Sequence, residues 1–167
     1  MSVNLGTPGG AEFVRAYKGQ VLDTSTAVIG SRTNESATPI EYGRAAAQGA
    51  NGGCVPVDST HKVLVGLVCS NPIRPADYST NVSNIKQYDE VPLMQVGSMA
   101  VYPVENWADG DALYAVVSQS GELGSASGGG ASADRILVPG ARMKGAGTAN
   151  TCGEVTLLGG QTITLGS

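Results

Sequence analysis

Short apolar segments, each closed by turn residues, recur along this chain, and none keeps a helical period beyond two turns. The clearest is residues 62–69 (KVLVGLVC), apolar and β-branched between turn signals, which predicts a buried strand. Residues 91–104 predict one or two more: Val91, Leu93, Gln95 and Gly97 share one parity, and Met94, Val96 and Ser98 the other. Further short strands are predicted at 39–43, 112–117, 135–140, 153–158 and 161–165, with turns at 106–111 and 119–122. Residues 20–43 are more polar, rich in Ser and Thr, with β-branched Val21, Thr24, Thr26, Val28 and Ile29 among them. Many short strands between Gly, Asp, Asn and Pro turns predict an all-β fold, a compact β-barrel or β-sandwich.

Helix is expected only in two short pieces, residues 12–17 and the Ala-rich 44–48. A mobile loop, residues 48–53 (QGANGG), should end the second. Residues 71–77 read as an irregular loop, because proline cannot donate to a ladder. The tract 124–132 (GSASGGGAS) reads as a flexible surface loop. Residues 1–18 read as an N-terminal arm and 19–167 as a single β domain. Phe13, the only phenylalanine, lies in that arm with Arg15 and Tyr17, flanked by Gly9-Gly10 and Gly19. Glycine flanks let the segment swing away from its own domain, so Phe13, Arg15 and Tyr17 are the candidate contacts to a neighbouring chain or a capsid.

Composition narrows the function classes. Glycine makes up 24 of 167 residues, about twice the usual ~7%. With 10 basic and 14 acidic residues, a net charge of −4 and no basic run, the chain does not look like a nucleic-acid binder. Aromatics are 5%, too few for a base-stacking platform. The longest apolar run, residues 63–69, is too short to span a bilayer, and residues 1–10 show no secretory signal. Without such a signal the sequons at Asn34 and Asn81 carry no weight.

Candidate chemistry is sparse. Cys54, Cys69 and Cys152 form no CxxC pair and are expected to be reduced, with Cys69 the most buried. The lone His61 beside Lys62 reads as a surface residue, because a catalytic triad also needs a placed nucleophile and an orienting carboxylate. No GxSxG, GxGxxG or Walker loop occurs. Asp109-Gly-Asp111 reads as a tight turn, since a calcium loop needs more oxygens in defined places. No catalytic residue, metal or cofactor is expected. Paired carboxylates for glycoside hydrolysis stay open on sequence alone, though one tryptophan leaves little for sugar stacking.

The order of the motifs carries a resemblance. Residues 19–24 (GQVLDT), 30–35 (GSRTNE) and 40–43 (IEYG) resemble the opening of the tailed-bacteriophage capsid cement, or decoration, proteins. Residues 65–68 (VGLV), 92–104, 109–114 (DGDALY), 119–123 (QSGEL), 138–143 (VPGARM) and 153–157 (GEVTL) follow in the family's order. The likeness spans residues 19–158; the tract 124–132 and the arm depart from it. The resemblance implies a non-enzymatic virion protein, made in the bacterial host cytoplasm. It would bind the outer surface of an assembled head and stabilise contacts between major capsid proteins, as a homotrimer at local three-fold positions. Its partners would be the major capsid protein and itself, with no nucleic acid and no membrane. Residues 155–166, apolar and poor in charge, would supply β edge for such a trimer. The alternative is a receptor-binding or fibre-tip β module that recognises a host glycan through loops 71–77 and 124–132. A small hydrolase is the third reading.

Overall fold

The computed structural model describes residues 16, 18–70, 84–130 and 132–158. Their fold is all-β, as expected. Eleven strands follow one another: β1 (Val21–Thr33), β2 (Ile40–Glu41), β3 (Ala45–Gln48), β4 (Cys54–Pro56), β5 (Leu64–Val68), β6 (Asn84–Ile85), β7 (Glu90–Val101), β8 (Ala112–Val116), β9 (Glu122–Ser125), β10 (Arg135–Lys144) and β11 (Gly153–Leu157). Nine form one antiparallel sheet in the order β4-β3-β5-β7-β11-β10-β8-β9, with β1 paired to β7. The small β2–β6 pair stands apart.

The sheet curls until its ends meet. The amide of Ala45 in β3 donates to the carbonyl of Gly121 in the β8–β9 turn at 2.9 Å. Beside that seam the Arg44 guanidinium bridges Glu41 and Glu122, each at 2.8 Å, and donates to the Gln119 carbonyl. The main core fills the inside, joining Ala45, Ala47, Val57 and Leu67 to Leu113, Leu123, Val138, Met143 and Val155. A second cluster lies on the opposite face of β3, β5 and β7, where the β2–β6 pair covers it with Ile40, Tyr42 and Ile85.

These two clusters explain why residues 44–48 are not the expected helix. β3 is buried on both faces: Ala45 and Ala47 belong to the inner core and Ala46 to the outer one, all fully buried. Only small side chains fit a strand sandwiched this way, so alanine's helix propensity yields to packing. The glycine loop after it is equally ordered. It is the turn of the β3–β4 hairpin, and the Glu35 carboxylate accepts the amides of Asn51 and Gly53.

In β7 a bulge hides the pattern. Met94 pairs with Ile29 and Val96 with Val28, so Gln95 is an extra residue. Val91 and Leu93 before it face the outer cluster, whereas Met99 and Val101 after it face the inner core. The tract 124–132 is not a free loop. Gly124 and Ser125 belong to β9, and the Arg135 guanidinium donates to the carbonyls of Ser125 and Gly129 while pairing with Glu105. Residues 126–128 form a single 3-10 turn. Nor do residues 155–157 supply edge: there β11 is flanked by β7 and β10. Residues 71–77, 12–15, 17 and 159–167 lie outside the described residues.

Candidate docking surface

Among the described residues, the polar groups singled out in the sequence serve local structure. His61 Nδ1 lies 3.0 Å from the Asp58 carboxylate, which also accepts the amides of Thr60 and His61. This is a self-satisfied surface turn; the His61 bond, then the two amides, hold Asp58 below the ordinary carboxylate range. Asp109 and Asp111 are spent on backbone amides that tie their turn to neighbouring segments: Asp109 accepts the Gly145 amide, and Asp111 the amides of Ala108 and Ser127. Among the described residues no group of three His, Cys, Asp or Glu is placed to hold a metal ion. No described helix is long and apolar enough to cross a membrane. Cys54 and Cys69 are both fully buried, so Cys69 is not singled out as expected. Desolvation pushes each thiol up to about 11.

What the fold does present is an edge. β1 runs for 13 residues, pairs only with β7 among the described residues, and is exposed or half-exposed throughout. Between Asp23 and Val28 it bulges away from its partner, over Gly97. A side chain at Gly97 would press on Ala27 at 3.1–3.3 Å, which is why a glycine sits there. Asp23 closes the bulge by accepting the amide and hydroxyl of Ser25. Just past it Val28 and Ile29 are 51% and 46% exposed, two adjacent aliphatic residues facing opposite ways from one strand. Tyr88, at the far end of β1 where its amide meets the Asn34 carbonyl, is 77% exposed.

The candidate contacts Phe13, Arg15 and Tyr17 lie outside the described residues. The root of their segment does not. Ala16 is buried, and its carbonyl accepts the Tyr102 hydroxyl at 2.7 Å. Gly19, in the left-handed region at φ +81°, donates to the Ala100 carbonyl, and Lys18 reaches Glu122 at 3.5 Å. Ala16, Lys18 and Gly19 are therefore held at a fixed point beside the end of β7.

Over residues 9–158 the chain matches the family described as structural cement protein. The chain belongs to that family. No curated protein matches it by sequence. Among solved structures it is similar to a chain of the capsid of Myoviridae phage XM1, at 15% identity and a TM-score of 0.65, covering 93% of this chain and 98% of that one. That likeness concerns the fold.

In this cement protein the SRTNE stretch turns out to be a joint. Arg32 donates to the Gln48 side chain and the Gly52 carbonyl, tying β1 to the β3–β4 hairpin. Asn34, fully buried, donates to the Ile85 and Thr38 carbonyls and so pins the β2–β6 pair; its burial also removes it as a glycan acceptor. Glu35 holds the β3–β4 turn. The residues that carried the resemblance thus serve folding. The exposed pair Val28-Ile29 was in the β-branched stretch, but nothing in sequence told an outward face from an inward one.

Proposed function

We propose that this cement protein binds the outer surface of an assembled phage head, against the major capsid protein, and stabilises contacts between capsomers. It acts as a homotrimer at local three-fold positions. β1 is the docking edge, and the N-terminal segment, with Phe13, Arg15 and Tyr17, reaches a neighbouring chain. The observation that carries this reading is β1 itself in a structural cement protein: a long strand with one edge unpaired among the described residues and two aliphatic side chains left outside. Soluble proteins blunt such edges unless they use them, and an extended partner segment can add to one through main-chain hydrogen bonds. Repetition over a trimer and over a lattice turns weak single contacts into firm attachment.

Co-sedimentation with heads stripped of this protein tests the proposal. The intact protein should bind saturably. Ile29→Lys should keep its melting temperature and lose at least about tenfold in affinity, roughly 1.4 kcal/mol. Removing residues 1–15, which spares the Ala16 anchor, should also weaken binding while the β core stays folded. Equal binding by the Ile29→Lys protein would dismiss β1 as the docking edge. Equal binding by the shortened protein would dismiss the arm. Failure of the intact protein to bind heads, with binding to host cells, would favour the fibre-tip reading.

A further inference from the structure

Three arginines among the described residues are half-buried, and they differ in one respect. Arg44 pairs with Glu41 and Glu122, and Arg135 with Glu105. Arg32 pairs with no described carboxylate. Its bonds to the Gln48 side chain and the Gly52 carbonyl, and a longer contact to the Gly53 carbonyl, all leave from Nη1. Nε and Nη2 donate to nothing among the described residues. Glu35, on the same hairpin turn, is spent on the amides of Asn51 and Gly53. A guanidinium half out of water without a counter-charge is costly, and a carboxylate arriving from outside offsets that cost.

A groove of about 300 Å³ lies against this side chain. It opens where the sheet splits, because β5 pairs with Leu93 and Met94 of β7, β11 pairs with Gly97 through Val101, and Gln95 falls between. Arg32, Gln48 and Gln95 are among its lining, Val63 marks its mouth at 47% exposure, and no acidic side chain lines it. Arg32 also shares one face of β1 with Gly30 and the exposed Val28. The groove is thus continuous with the face of the docking strand.

We propose that this groove receives an acidic side chain of the major capsid protein, whose carboxylate takes Nε and Nη2 of Arg32. The proposal rests on β1 as the docking edge and names the chemistry that the partner must bring there. Nε–H and Nη2–H point the same way from one side of the planar guanidinium, so they match the two oxygens of a carboxylate. Nη1 keeps the β3–β4 hairpin in place meanwhile, so one side chain serves the fold with one nitrogen and the partner with two. Leaving Arg32 without an internal acid then sets specificity: a neutral or basic partner residue would leave the charge unpaired.

Heads stripped of this protein provide the test. Val63→Glu puts a carboxylate at the groove's mouth, where it competes for Arg32 and repels an incoming acid; Val63→Gln has nearly the same shape without the charge. Position 63 is exposed, so both variants should keep the parent's melting temperature. Val63→Glu should lose at least about tenfold in affinity, the order of one charge-assisted bond, and Val63→Gln less than about twofold. Equal binding by the two variants overturns the proposal. Ile29→Lys is measured on the same heads. If it binds poorly while Val63→Glu binds fully, the groove fails and β1 stands; if the intact protein does not bind, both fail. A second experiment identifies the occupant. On heads carrying the Arg32→Lys protein, a water-soluble carbodiimide joins the introduced amine to the carboxylate it faces, with loss of water. The expected link runs to an Asp or Glu of the major capsid protein. A link to another copy of this chain, or none at position 32 in bound protein, overturns the proposal.

Discussion

Burial in apolar surroundings disfavours a thiolate, because the charge loses its hydration. Cys54 and Cys69 are fully in that position; desolvation also raises Cys152, beside Tyr102 and Ala16, but its half-exposed side chain is the one a reagent can reach. Native protein at neutral pH should therefore take up one equivalent of a maleimide, at Cys152, and the other two thiols should react only on unfolding. Fast native labelling of Cys54 or Cys69, read by peptide mass, would contradict this. Glu35 makes a second residue-scale case. The amides of Asn51 and Gly53 favour its charged form and hold it below the ordinary carboxylate range. A depressed carboxylate contributes fully above its unfolded pKa, and the contribution is lost as pH falls through the folded value. Acidification below the usual glutamate range should thus free the β3–β4 turn first, with proton exchange at Asn51 and Gly53 rising while the core amides stay protected. Simultaneous loss of all protection would show that the turn has no separate titration.

At the scale of elements, sequence spoke clearly where one rule acted alone. Residues 62–69 were a strand by apolar run and turn boundaries, and β5 lies inside that range. Residues 112–117 likewise gave β8. Misreadings arose where a second cause intervened. An alanine run looks helical until two apolar clusters are known to flank it. The parity of β7 looks inconsistent until Gln95 is known to bulge. A Gly-Ser tract looks loose until Arg135 and Glu105 are placed beside it. All three depend on residues distant in sequence. The β3 assignment has a direct check. Ala46→Leu adds volume between two packed clusters and should cost about 1–3 kcal/mol, the usual range for overpacking. Thermal melting would show it. A melting temperature equal to that of the parent would mean that β3 has an open face.

Across the described residues, the sheet is tied back on itself by the Ala45–Gly121 bond, and the proposed docking elements lie on its outside. Among the described residues β1 has one unpaired edge, and Ala16 is fixed by Tyr102. Family membership was legible in motif order, and the motif residues Arg32, Asn34 and Glu35 turn out to hold the fold together. The contact face was not legible, since exposure is a property of the folded chain. The central claim is that this protein is a cement on the outside of a head. An image of the native particle that resolves side chains tests it most directly. The account predicts trimeric density in hundreds of copies on the outer shell at local three-fold positions, with β1 against the major capsid protein and residues 1–15 reaching a neighbour. Density confined to the tail or to the shell interior, or β1 turned to solvent in every copy, would contradict it.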